Sequence, residues 1–248
     1  MDFAKIQDRE YRLLLNLFYK QFEILGGIRM KTVALVPIKL NSERLPHKNI
    51  LPIGGHPLCW HICNSLCQVE KIDEVYVYCS DESVKQYIPN TVIYKKRDKW
   101  LDGNEIKGFD IYRSFINEVD ADIYVLAHTT SPFIKVSSIE NALGNVLSGE
   151  YDSAFSAERI QTFSWYQGKP INYDLNDVPR TQDMEPIWVE TSAFYIFRQE
   201  VFIDHNRRIG FNPYIQEVSG AEAVDIDEKK DYEMACRLLE GNEVSWRS

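Results

Sequence analysis

The sequence predicts an α/β domain, a mostly parallel sheet with helices on both faces and a small inserted hairpin or flap. Three observations carry that expectation. Short apolar runs of strand length recur, beginning with Thr32-Val-Ala-Leu-Val-Pro37; helical patterns stand between them; and one polar stretch, residues 161–187, interrupts the alternation. A chain of 248 residues with 44% hydrophobic content also has enough apolar material for one domain of this kind.

Residues 1–28 read as an amphipathic helix, with Leu13, Leu14, Leu17, Phe18, Phe22 and Leu25 at helical spacings and Gly26-Gly27 as its stop. Residues 1–29 are therefore separated as an N-terminal helical extension from a domain over 30–248. Two readings of the extension stand side by side. Met30 is the natural start, preceded by codons for Gly-Gly-Ile-Arg that fit a purine-rich ribosome-binding sequence, or the helix is a genuine element for docking or dimerisation.

The core begins at Lys31 with a buried strand running to Ile38. A helix over Pro57–Val69, a strand Glu74–Cys79, a helix Glu82–Ile88 and a strand Thr91–Tyr94 follow. The rhythm continues with a helix Ile106–Glu118, a strand Asp122–Ala127, a helix Ser137–Leu147 and a strand Ser153–Ala157. Beyond the 161–187 excursion come a strand Trp188–Phe197, a last short strand Ala223–Ile226 and a closing helix Glu228–Leu239. In such a sheet, ligands belong at the carboxyl ends of the strands.

The formal net charge of −9 argues against a surface that neutralises nucleic-acid phosphates. No stretch reaches the roughly 20 apolar residues of a membrane span, and no basic-then-apolar leader opens the chain, so a cytoplasmic protein is expected. Five cysteines without an export signal read as free thiols. Cys59, Cys63 and Cys67 share one helical stripe, which suits small hydrophobes packing on a sheet better than a metal site.

Two features can carry chemistry. The first strand runs into Lys39-Leu-Asn-Ser-Glu-Arg-Leu-Pro-His-Lys-Asn49, where Lys39, Arg44 and Lys48 can oppose phosphate charge and Ser42 and backbone amides can donate hydrogen bonds. On composition alone an ordinary charged loop is the stronger reading, since neither Gly-x-x-x-x-Gly-Lys-Ser/Thr nor Gly-x-Gly-x-x-Gly is present. The second feature is Val224-Asp225-Ile226-Asp227. On a strand its carboxylates share one face and can hold Mg2+; alternatively it is a solvated strand end, with Asp227 capping the following helix.

Together with Tyr78-Cys79-Ser80-Asp81, Thr130-Ser131-Pro132 and Arg180-x-Gln182-Asp183-x-x-Pro186, these two motifs resemble, in order and spacing, the acylneuraminate cytidylyltransferases, or CMP-sialic acid synthetases. The resemblance covers Lys31 to Leu239 and makes the chain look like a divergent member. It implies a Rossmann-like nucleotidyltransferase fold that transfers CMP from CTP to a sugar acid, a sialic-acid-like nonulosonate or a relative, with Mg2+ and release of pyrophosphate. Position by position, it implies that Arg44 and Lys48 contact phosphate and that Lys39, Asn41, Ser42, Asn49, Ser80, Asp81 and Arg97 surround the nucleotide. Thr130, Ser131, Arg180, Gln182, Glu190 and Thr191 would face the sugar acid, Asp225 and Asp227 the metal. Residues 161–187 would help build a homodimer.

His128 stands as a general base or as a structural histidine. Lys39 replaces the family's usual arginine, His128-Thr129 a Gln-Pro pair, and Glu190-Thr191-Ser192-Ala193 an Asn-Gly-Ala. These departures point to an acceptor other than ordinary sialic acid, or to an altered base preference. The competing accounts are a related nucleotidyltransferase with another nucleotide or acceptor, a non-catalytic nucleotide-binding homologue, and a glycosyltransferase with an Asp-x-Asp metal site.

Overall fold

The computed structural model describes residues 29–245, with side chains as far as residue 239, so the helix expected over residues 1–28 lies outside the described residues. Strand β1 (Thr32–Pro37) is apolar on both faces because both are covered: Val33 and Leu35 enter one core, Ala34 and Val36 the other. The alternation repeats in the strand Glu74–Cys79, where Val75 and Val77 oppose Tyr78, and in the strand Ile123–Ala127, where Val125 opposes Leu126.

Two-residue strands β2 (Pro52–Ile53) and β3 (His56–Pro57) form a hairpin ahead of helix α1 (Leu58–Cys67). The sheet continues with β4 (Glu74–Cys79), β5 (Ile93–Lys96), β6 (Ile123–Ala127) and β7 (Ser153–Ile160). Helices α2 (Gly108–Ile116) and α3 (Val136–Leu147) lie between them. Residues 161–187 leave the sheet through the small hairpin of β8 (Trp165–Tyr166) and β9 (Lys169–Pro170), and the chain returns in β10 (Ile187–Arg198). Helix α4 (Gln199–Ile203), strand β11 (Pro213–Glu217) and helix α5 (Lys229–Ser245) complete it.

The strand order is β11-β7-β10-β6-β1-β4-β5, parallel except that β10 runs against both its neighbours. Ile62, Leu66, Ile139 and Leu143 cover one face, and Tyr112, Phe115, Val201 and Phe202 the other. The chain leaves β1 toward β4 on one side and later returns to β6 on the other, which opens a crevice at their carboxyl ends. No helix among the described residues is long and apolar enough to cross a membrane.

The structure corrects several expectations. Ala223–Ile226 is not a strand: Gly220–Ala223 is a 3-10 turn, and the chain then runs unpaired through residues 224–227. The last strand is β11, which pairs in parallel with the edge of β7; its Pro start and polar Gln-Glu end hid it. Glu82–Tyr87 is a 3-10 turn opened by Asp81, whose carboxylate accepts from the Ser83 amide at 2.9 Å, and Pro89 prevents its growth into a helix. Asp227 does not cap α5; the Asp231 carboxylate accepts from the amides of Asp227 and Glu228. Of the expected cysteine stripe, Cys59 and Cys63 are buried, and burial pushes Cys59 up to about 12 and Cys63 well above 9.0, the behaviour of packed thiols, but Cys67 at the end of the helix is exposed and does not pack on the sheet.

Glu222 is a buried carboxylate that ties the 3-10 turn to the start of α3, accepting from the Lys135 amide at 3.0 Å, Lys135 Nζ at 2.8 Å and Ser138 Oγ at 2.7 Å. Burial opposes its charge, but these hydrogen bonds outweigh burial and hold its pKa below 4.5. A depressed carboxylate pKa contributes stability that is complete above 4.5 and fades as the pH falls through the depressed value. Glu222→Gln is therefore expected to cost about 1–3 kcal/mol at pH 7 in urea unfolding, and the difference should vanish in the acid range. An undiminished difference at pH 3 would contradict this.

Candidate active site

Two adjoining cavities, about 680 and 540 Å3, occupy the crevice and share Lys39, Asn41, Ser42, Glu43, Gly103 and Asn104. The smaller one is the basic end. After β1, His47 takes a left-handed conformation (φ 58°, ψ 21°), which histidine tolerates better than most residues, and turns the chain into the 3-10 turn Lys48–Ile50. That turn aims Lys48 inward, its side chain only 11% exposed, with Nζ 2.9 Å from Asp227 Oδ1. Arg44 grips the same carboxylate with two bonds, of 2.7 and 2.9 Å. A separate apolar cluster of Leu45, Ile53, Leu58, Ile226 and Ala235 pins the loop to the 224–227 segment, and the Ile226 amide donates to the Thr130 carbonyl at 2.8 Å.

Burial works against the Asp227 charge, but Lys48 and Arg44 prevail and lower its pKa. Asp225 behaves oppositely: burial, then the Asp227 carboxylate, raise its pKa against hydrogen bonding from Thr130 and the charge of Lys48. Among the described residues no three His, Cys, Asp or Glu side chains are disposed to hold a metal by themselves. Asp227 lines the basic cavity, whereas Asp225 lies outside its lining and is linked to Asp227 by charge; hard carboxylate oxygens of this kind suit a cation such as Mg2+, which completes its shell with water and phosphate.

Between the two ends, Asn49 joins the loop to the sheet. Its Nδ2 donates to the Lys39 carbonyl at 2.7 Å and its Oδ1 accepts from Thr129 Oγ1 at 2.6 Å. His128, at the end of β6, has Nδ1 2.6 Å from the Ser192 carbonyl and Nε2 3.3 Å from the Tyr112 hydroxyl. A carbonyl only accepts, so Nδ1 carries the proton and Nε2 keeps its lone pair. Burial lowers the His128 pKa below 6.5, and the charges of Arg208 and Lys48 act in the same direction. Ser192 presents its carbonyl there because β10 slips register between Glu190 and Tyr195, with Ser192 at φ 59°.

The larger cavity has the opposite character, lined by Ser80, Asp81, Glu82, Lys99 and Asp102 as well as the shared loop. Arg97 stands behind this wall. It is 1% exposed, donates to the carbonyls of Ile38 at 3.0 Å and Tyr78 at 3.3 Å, and reaches Asp102 Oδ1 at 2.5 Å. The other Asp102 oxygen accepts from Ser80 Oγ.

The crevice thus gathers Lys39, Asn41, Ser42, Arg44, Lys48, Asn49, Ser80, Asp81, His128, Thr130 and Asp227. The residues expected to face a sugar are more dispersed. Arg180 pairs with Asp183 at 2.7 Å on the exposed excursion, and the Gln182 carbonyl accepts from Gln161. Glu190 accepts from the Tyr195 hydroxyl at 2.7 Å and Thr191 donates to Ser156 Oγ at 2.8 Å, while the buried Ser131 hydroxyl has no partner among the described residues. Asp102, Asn104 and Tyr112 were not anticipated, and Thr129 stood out only as a departure from the family's Gln-Pro pair.

Residues 33–247 match a protein-family model described as cytidylyltransferase. The chain belongs to the cytidylyltransferase family. The chain is 21% identical over 214 residues to an N-acylneuraminate cytidylyltransferase of Streptococcus agalactiae serotype III (strain NEM316), a match covering 82% of this chain and 52% of the relative. It thus spans about half the length of that relative. It is 26% identical over 235 residues to a CMP-N,N'-diacetyllegionaminic acid synthase of Legionella pneumophila subsp. pneumophila (strain Philadelphia 1), covering 86% of this chain and 98% of the relative. Among solved structures, a CMP:2-keto-3-deoxy-manno-octonic acid synthetase complexed with CTP superposes with a TM-score of 0.67 at 20% identity, covering 86% of this chain and 99% of that one. The expected Rossmann-like α/β architecture, a mostly parallel sheet with helices on both faces, is thereby established for the chain.

Proposed function

We propose that this cytidylyltransferase transfers CMP from CTP to a sugar acid of the nonulosonate or a related class, with Mg2+ and release of pyrophosphate, in the cytoplasm. The observation that carries the reading is the Arg44–Lys48–Asp227 network, two cations held on one carboxylate at the mouth of a cavity of triphosphate size. A polyphosphate entering there exchanges one anionic partner for another, and the cations need little rearrangement. The names of the streptococcal and Legionella relatives support the acceptor class.

In the reaction, the acceptor hydroxyl oxygen bonds to the α-phosphorus as the bond from that phosphorus to the pyrophosphate oxygen breaks. Arg44 and Lys48 hold the phosphate oxygens in line and oppose the growing charge. Asp225 and Asp227 would hold Mg2+, which supplies further positive charge at the phosphate when bound. His128 is neutral, and its Nε2 lone pair, which accepts from the Tyr112 hydroxyl at 3.3 Å in the resting site, takes the proton of the attacking hydroxyl once that contact is exchanged.

Because its pKa is lowered, His128 is already a base at pH 6.5, and the acidic limb of kcat/KM is expected below that value. His128→Gln should flatten the limb and slow turnover by about 10²- to 10³-fold; an unchanged limb would assign the proton to another group. The exposed Trp165, Tyr166, Ile171, Leu175 and Val178 of the excursion support a homodimer formed through that face.

The reading as a whole is tested by pyrophosphate release from CTP, UTP, GTP and ATP with a panel of sugar acids, each with and without Mg2+. Release that needs both CTP and a sugar acid supports it. Release with another nucleotide alone moves the assignment, and none with any pair refutes it.

A further inference from the structure

The two cavities differ in charge. Glu43, Asp81, Glu82 and Asp102 stand against Lys39 and Lys99 in the larger one, whereas Lys39, Arg44 and Lys48 stand against Glu43 and Asp227 in the smaller. A triphosphate belongs in the smaller cavity, so the part of the nucleotide that reaches the larger one meets hydrogen-bond acceptors. The carboxylates there are not equally available. Glu82 is turned onto Lys85, and Asp81 caps the Ser83 amide.

Asp102 is held differently. One oxygen is fixed by the buried Arg97 and the other by Ser80, so the carboxylate cannot swing. Arg97 is itself anchored to the ends of β1 and β4 through the carbonyls of Ile38 and Tyr78. Each Asp102 oxygen keeps a second lone pair, and a quarter of the side chain stays exposed in the cavity wall. The result is a rigid acceptor, which unlike an amide cannot turn a donor outward.

We propose that Asp102 selects the base, accepting a hydrogen bond from the exocyclic amino group of cytosine; this rests on the cytidylyltransferase reading above. Uracil places a carbonyl oxygen at the same position, and oxygen against carboxylate leaves both acceptors without a partner as the base excludes water. A site built around a hydrogen bond rejects the analogue lacking its partner far more strongly than an apolar pocket does. Arg97 is then a positioning residue that acts through Asp102 and never touches the nucleotide.

The test is calorimetric titration of the wild-type chain with CTP, UTP, the triphosphate of pyrimidin-2-one riboside, 2′-deoxy-CTP and inorganic tripolyphosphate. The pyrimidin-2-one lacks the amino group without added bulk. CTP is expected to bind at least about tenfold more tightly than UTP or the pyrimidin-2-one nucleotide, with 2′-deoxy-CTP close to CTP. Asp102→Asn should bring CTP and UTP within about threefold of each other and leave tripolyphosphate unchanged. If that variant does not fold, because Arg97 loses its counter-charge, the wild-type series decides alone.

Equal binding of CTP and the pyrimidin-2-one nucleotide overturns the proposal, and so does a loss confined to 2′-deoxy-CTP, which would put Asp102 on the ribose. Binding of tripolyphosphate with no base preference sinks this inference and leaves the phosphate cradle standing. Failure of every ligand, tripolyphosphate included, removes the underlying reading and this inference with it.

Discussion

Lys48→Ala is expected to lower kcat/KM for CTP by about 10²- to 10³-fold, the usual consequence of removing one preorganised charge from a phosphoryl-type transition state. The size of the effect follows from burial. With 11% of its side chain exposed, Lys48 acts in a less polar medium than Arg44, which is 64% exposed, and solvent screens its charge less. Alanine also deletes the packed methylene stem, so Lys48→Met serves as the control that keeps the stem and removes the charge. Both variants should lose activity alike in a pyrophosphate-release assay, while Met holds its melting temperature better. Activity in Lys48→Met within threefold of wild type would mean that the charge is dispensable.

Asp227→Asn should move two measurements in opposite directions. In the resting site the Asp227 carboxylate satisfies both Arg44 and Lys48 and so competes with any incoming phosphate. Neutralising it frees those cations, and metal-free CTP should bind about tenfold more tightly in calorimetry. Turnover with Mg2+ should fall on the order of 10²-fold, because the proposed metal loses one of its two carboxylates. Parallel losses in both measurements would show that Asp227 orders the loop and nothing more.

Much of this arrangement was legible in the sequence where the interactions are local or periodic. The β1 run and the Glu74–Cys79 strand read correctly because burial on both faces demands continuous apolar residues. The charges of the Lys39–Asn49 loop alone favoured an ordinary surface loop, and only its resemblance to a family motif set it apart. The burial of Arg97 was not, since its partners, the carbonyls of Ile38 and Tyr78, are backbone groups brought to it by two other strands. Asp225 and Asp227 were expected on a strand, but residues 224–227 form none; Ile226 anchors the segment through its side chain and amide instead of a ladder. The His128 tautomer was equally out of reach, because it depends on a left-handed Ser192 that no residue preference announces.

The ion network at the mouth of the crevice joins residues 183 and 179 positions apart in the chain. Closing so long a loop costs conformational entropy before any contact repays it, which places this pairing late in folding. During synthesis strands β1 to β10 emerge before the segment that carries Asp227. Until that segment docks against Leu45, Ile53 and Leu58, the basic loop has no Asp227 to hold it, and the nascent chain lacks the assembled Arg44–Lys48–Asp227 network.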